Sequence, residues 1–435
     1  MATELTTGPG TRADPGPPDV AAIQRRTLRL LCGTQIVGGI GTTIGASVGV
    51  LLAARIGGTA ISGLAQSASV VGAALLAVPI TRIMRARGRR PGLVLAYLTG
   101  ALGGSLIVAA AVTRWVPLLF LGMLLFGGGT AATLQARYAA VDLAEPALRG
   151  RQLSMVVWAT TIGAVAAPNF AALADAAVDR SGLPPLSGPF VFSTVAFVLG
   201  AGVLLVLLRP DPLLTARRAA AGATGGGPGP TGRGGGLRAA VRVVGERPAA
   251  RLGIAAVAVG HMVMVGVMVM TPVRLGESHG DADLLRVVGI VLSLHIAGMF
   301  ALSPVVGWLT DRAGRRPVIL GGGAVLLVAC AFAGTAGHDT VRLSVGLALL
   351  GLGWSGTMVA GSTLLSESVP AEVRPAVQGL SDLTMGLAGA LAGALSGFVI
   401  ELAGYPVLNL LAAVAVIPLV ALALRAVPAG ERIGP

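Results

Sequence analysis

The sequence predicts an all-α integral membrane protein of twelve transmembrane helices, built as two six-helix bundles in parallel repeat. Three observations carry this. Of 435 residues 54% are hydrophobic and only 12% charged, half the charged share of an ordinary soluble domain. Twelve apolar runs follow one another, each near the roughly 20 residues that cross a bilayer. Landmarks in the first half recur in the second at nearly one offset. This composition excludes a soluble globular enzyme and a disordered protein.

Residues 1–24 are rich in Pro, Gly, Thr and Asp and lack periodicity, which predicts a disordered tail. It does not read as a cleaved signal peptide. The first apolar run begins only after Arg25, Arg26 and Arg29, and it is too long for a signal core. Runs at about 28–54, 59–81, 91–112, 116–137, 152–177 and 188–208 form a bundle over 25–208. Residues 209–247 hold a Gly-rich stretch and predict a flexible linker. Six further runs, at about 249–273, 285–308, 317–335, 342–364, 376–401 and 406–426, form a second bundle over 248–427, and 428–435 make a tail. In lipid only helices or closed barrels satisfy their backbone, and continuous runs of this length are helices. Cys32 and Cys330 both lie within apolar runs and read as small core residues.

Every one of the 32 basic residues is an arginine. Sorted by loop, 26 fall on the side of the termini and 6 opposite: Arg55, Arg114, Arg180, Arg274, Arg286 and Arg342. Basic loops face the cytoplasm, so both termini and the linker are expected there, in a bacterial-type plasma membrane. This accounts for the net charge of +13 without nucleic acid, for which no recognition module is present.

Gly88-Arg89-Arg90-Pro91 returns as Gly314-Arg315-Arg316-Pro317, 226 residues on, and Arg149 returns as Arg374, 225 residues on. After the eighth helix the chain reads Gly307-Trp308-Leu309-Thr310-Asp311-Arg312-Ala313-Gly314-Arg315-Arg316. This resembles the signature loop of the major facilitator superfamily, Gly-x-Leu-x-Asp-Arg-x-Gly-Arg-Arg. The resemblance implies a secondary or facilitative carrier whose bundles rock around a central site. Asp311 can accept hydrogen bonds at a helix N-terminus, and pseudosymmetry points to the start of the fifth helix, Arg149 to Gln152. In the first-half copy Arg85 stands where the Asp should be. A swapped pairing is then expected, Arg82 or Arg85 with Glu372 or Asp382. Arg137, Arg149, Arg374 and Asp382 are candidates for such latches or a charge relay.

Charges deep in the membrane are costly and usually functional, and this chain has almost none. The seventh helix instead carries His261, Met264, Met268 and Thr271 within one stripe of about 80°. The eighth carries His295 and Met299 as an i, i+4 pair. Thioether and imidazole together suit a soft metal such as Cu(I). A Met stripe also packs cores, and a histidine can serve a proton instead. Met264-x-x-x-Met268 and His295-x-x-x-Met299, with Gln135 to Ala140, resemble the bacterial copper-importing branch of the superfamily. Relatives of that branch include riboflavin carriers. Import of copper or another soft metal through the His/Met stripe is the favoured reading; copper would be cargo, and no cofactor is implied. Gly163 to Asn169 partly resembles an antiporter motif, with Ala167 in place of its second Gly, which keeps a proton-coupled drug or organic-solute carrier open. Gln35, Thr43, Asn169 and Trp354 are further cavity candidates. No phosphate loop, nucleophile elbow or metallohydrolase motif is present, so no enzyme is expected. A transport-dead membrane sensor is the reading from another class. The expected partners are the bilayer and a small solute or metal ion, and the chain is expected to be monomeric.

Overall fold

A computed structural model describes residues 20–145, 148–178, 181–224, 237–370 and 373–425, which contain helix and no strand. In order these are α1 (Val20–Gly57), α2 (Thr59–Arg87), α3 (Arg89–Thr113), α4 (Val116–Ala139), α5 (Arg149–Val178) and α6 (Gly188–Leu207). Two short helices follow, α7 (Pro212–Thr224) and α8 (Leu237–Glu246). The second bundle holds α9 (Pro248–Gly276), α10 (Asp281–Phe300), α11 (Ser303–Ala313), α12 (Arg315–Gly334), α13 (Thr340–Glu367) and α14 (Arg374–Leu424).

Ten helices among the described residues are long and apolar enough to cross a membrane, or eleven with the bent pair 158–167 and 170–178 of α5. The twelve expected runs are all covered. The eighth is split into α10 and α11, with Pro304 in the first turn of α11, where its missing N–H costs nothing. The eleventh and twelfth share α14, which turns at Gly404 with φ 81° and ψ 172°. Only glycine adopts that conformation at little cost. The second limb returns to the end of the molecule from which the first departs, where the Arg316 guanidinium donates to the carbonyls of Ala423 and Arg425.

At two places the described helices extend into segments the sequence predicts to be irregular. Helix begins at Val20, not after residue 24, because the Gln24 amide donates to Ala140 O and to Gln152 Oε1, both at 2.6 Å, tying this turn to the bundle. Residues 1–19 lie outside the described residues. The segment 209–247 is not a linker throughout. Asp211 accepts from the backbone N–H of Leu213 and Leu214 and so caps α7. Residues 225–236, within the Gly-rich stretch, lie outside the described residues, as does the tail 428–435.

Packing follows membrane rules, with small residues letting backbones approach. A Cβ placed on Gly72 would lie 1.9 Å from Leu124 O, and one on Gly103 2.2 Å from Phe126 N. The first bundle is filled by Tyr97, Phe126, Phe190 and Phe197, all buried, with ring centroids 5.3–5.9 Å apart.

The two loops that begin with Gly88 and Gly314 share more than sequence. The two glycines have φ 98° and φ 93°. Arg89 pairs with Asp142 at 2.8 Å and Arg315 with Glu367 at 2.6 Å, two contacts related by the same repeat. Each braces a loop inside its own bundle. These loops, the linker helices and the ends of α1 and α14 lie together at one end of the molecule, termed here the basic end.

Candidate functional site: a cavity between the bundles

A cavity of about 450 Å³ lies between the two bundles. The first bundle contributes Thr42, Thr43, Gln66, Thr130 and Ala164 to its wall; the second contributes His261, Met264, Met268, His295, Met299 and Phe300. None of the lining residues carries a formal charge apart from what the two imidazoles could take up. All five residues of the expected His/Met stripe therefore share one cavity. Thr271 leaves the stripe: its hydroxyl is buried 3.1 Å from that of Tyr405, in the packing of α9 on α14.

The imidazoles are held by specific bonds. Trp354 Nε1–H donates to His261 Nδ1 at 3.3 Å. His295 Nδ1 lies 2.8 Å from Leu347 O. Trp354 thus backs the wall rather than lining it, and Phe300 packs edge-on against its ring at 5.9 Å. Of the other cavity candidates, Thr43 lines the cavity. Gln35 does not: it donates to Thr133 O and accepts from Thr160, stitching α1, α4 and α5 within one bundle. The Asn169 side chain lies outside those described.

Ala164 and Phe300 also line a second cavity of about 170 Å³, which reaches Arg137. Arg137 in turn lines a vestibule of about 620 Å³ with Tyr138, Ser362, Gln378 and Asp382. Shared lining residues thus set the three cavities in a row from the centre toward the basic end. Away from that end the bundles touch. Ala60 N donates to Glu401 Oε2 at 2.7 Å, Ser67 Oγ to Ala390 O at 2.7 Å, and Ser293 Oγ to Val165 O at 3.1 Å. A Cβ on Gly63 would lie 2.0 Å from Gly393 O. The molecule is open toward the basic end and closed at the other.

That state explains where the expected latch residues sit. Asp311 is exposed and lies 3.6 Å from Arg315 in its own loop, not at the start of α5. Its carboxylate faces solvent in this state. Arg312 stacks on Trp308 at 5.3 Å. Arg85 is exposed, and Asp382 faces the vestibule with Arg137 rather than Arg82 or Arg85. The Arg149 side chain and Glu372 lie outside those described. A different acid reaches the first loop: Asp211, past the end of α6, accepts from Arg90 N at 2.8 Å. Sequence reasoning missed Asp211, and also Gln66, whose signal was a lone amide in the apolar run of α2.

The chain is 36% identical over 392 residues to the MFS-type transporter YdeG of Bacillus subtilis (strain 168), covering 90% of this chain and 89% of that one. The chain belongs to the major facilitator superfamily. The family model described as Major Facilitator Superfamily matches residues 284–434. Another B. subtilis MFS-type transporter, YddS, is 36% identical over 394 residues, covering 90% and 88%. The riboflavin transporter RfnT of Brucella anthropi is 26% identical over 415 residues, covering 93% and 95%. A D-xylose–proton symporter structure superposes with TM-score 0.69 at 14% identity, covering 90% of this chain and 96% of that one. A bacterial homologue of the lysosomal transporter Spinster superposes with TM-score 0.67 at 16% identity, covering 92% and 94%. Both share the fold. This major facilitator protein is thus a multi-pass membrane transporter of small solutes and not an enzyme.

Proposed function

We propose that this carrier moves an uncharged organic solute through the central cavity by alternating access, with the basic end in the cytoplasm. The observation that carries the reading is the cavity itself. It offers about 450 Å³, walled by apolar side chains with a few polar groups from both bundles. That is the size and character of an organic ligand site, and many times the roughly 30 Å³ a single water occupies. The riboflavin transporter matched over nearly its whole length supports an organic cargo of this size. The excess of arginine in loops at the basic end supports the orientation. Arg137 and Asp382, facing the vestibule from opposite bundles, stand where an ion gradient would act on the bundles. The carrier is taken to act as a monomer.

A second reading is Cu(I) transport, favoured by one observation: His261, Met264, Met268, His295 and Met299 line the same cavity. Proteoliposomes separate the two. Purified protein is assayed for riboflavin counterflow, for efflux of uncharged dyes and for Cu(I) uptake. Organic flux that Met268→Trp abolishes supports the first reading. Cu(I) uptake without organic flux, lost in His295→Ala and Met264→Ala, overturns it. Cavity binding without flux of either kind would identify a sensor.

A further inference from the structure

The hydrogen-bond network assigns a direction to the ring nitrogens of the two cavity histidines. An indole N–H only donates and a carbonyl only accepts. His261 Nδ1 receives the Trp354 N–H, so a neutral His261 carries its proton on Nε2. His295 Nδ1 sits against Leu347 O, so Nδ1 carries the proton and Nε2 is a bare acceptor. That Nε2 is buried without a partner, on a residue only 1% exposed. Gln66 Oε1, from the other bundle, is buried without a partner on the wall of the same cavity. Buried polar atoms are nearly always paired, and leaving one unpaired is costly. Two such acceptors at one cavity, one from each bundle, describe a site that awaits donors.

We infer that the solute is an uncharged, flat heterocycle with an amide or imide edge. This rests on the reading of the cavity as the solute site. The ring N–H of the solute is shared in a three-centre bond between His295 Nε2 and Gln66 Oε1, and His261 Nε2–H donates to an adjacent ring carbonyl. The apolar walls, with Met264 and Met268, take the faces of the ring. Binding both acceptors at once also links the two bundles through the solute, as a carrier requires.

The test uses matched pairs of uncharged compounds that differ by one N-methyl group: lumichrome and 3-methyllumichrome, theobromine and caffeine, phthalimide and N-methylphthalimide. Binding to the full-length protein in nanodiscs is measured by equilibrium dialysis. A site built to pair an N–H rejects the analogue lacking it. At least one N–H parent should bind about tenfold or more tightly than its methylated twin, because methylation leaves the acceptors unpaired. The ratio should collapse to below about threefold in Gln66→Leu and in His295→Phe. Gln66→Leu alone decides the matter if His295→Phe, which also loses the Leu347 contact, does not fold. Equal binding of parents and twins overturns the inference and leaves the organic-solute reading standing. Absence of binding by every parent overturns it as well. If Cu(I) is then carried while no organic solute is, the reading beneath it falls too.

Discussion

At the end away from the basic loops the bundles meet backbone to backbone, Gly63 against Gly393 and the α2 N-terminus against the Glu401 carboxylate. At the basic end the strong contacts run inside each bundle instead, Arg89 to Asp142 and Arg315 to Glu367. The contrast shows how one molecule combines rigidity with motion. Charge pairs keep each bundle's loops in shape, while among the described residues the surfaces that must part are held by small residues and the Glu401 carboxylate. Close glycine contacts are short-range and either fit or clash. They make a gate with two states rather than a graded one.

Gly63→Leu should have the largest effect on the closed end. A Cβ there would already sit 2.0 Å from Gly393 O, and that obstacle is backbone. An overpacking penalty of about 3 kcal/mol shifts the equilibrium between open and closed far ends about 150-fold. Spin-label distances across α2 and α14 should lengthen at this end, and flux should fall with expression unchanged. At the basic end the two braces should differ. Arg89 and Asp142 are 16% and 9% exposed; Arg315 and Glu367 are 29% and 43% exposed. Breaking a buried pair costs about 3 kcal/mol, discounted here for partial exposure, and an exposed one under about 1 kcal/mol. Thermal unfolding in detergent should thus show Arg89→Ala well below wild type and Arg315→Ala close to it. Equal losses would mean the two repeats are braced alike.

Much of this was legible in the sequence because it is local. Apolar runs set the helices, the Gly-Arg-Arg-Pro repeats set the two bundles, and helical spacing placed His261, Met264 and Met268 on one face. Contacts far apart in sequence were not legible. Thr271 was drawn out of the stripe by Tyr405, 134 residues away. Gln35, an apparent cavity residue, spends its amide inside its own bundle. Asp211 braces the first signature loop through Arg90 N but comes from a segment whose glycines predict only a linker. The Asp311 latch belongs to a state with the basic end closed, and a sequence does not say which state a structure captures.

Smaller effects sharpen the same contrast. Glu401→Gln removes the charge that caps α2 across the bundles at an exposed site. It should weaken closure by under about 1 kcal/mol, a shift of less than about fivefold, seen as a modest gain in labelling from the far side. Asp311→Asn should change stability in this state by no more than about 0.5 kcal/mol, since Asp311 is 77% exposed. Any larger loss would show that Asp311 has a partner in the state open at the basic end.

The most direct test of the account is side-specific labelling of the cavity. Cysteine is placed at Thr43 after Cys32 and Cys330 are changed to serine, and an impermeant maleimide is added to one side of oriented vesicles at a time. Labelling is expected from the basic side alone in the otherwise unmodified carrier, with a switch to the opposite side when Gly63→Leu is added. Labelling from both sides at once, or from the same side in both proteins, would contradict it.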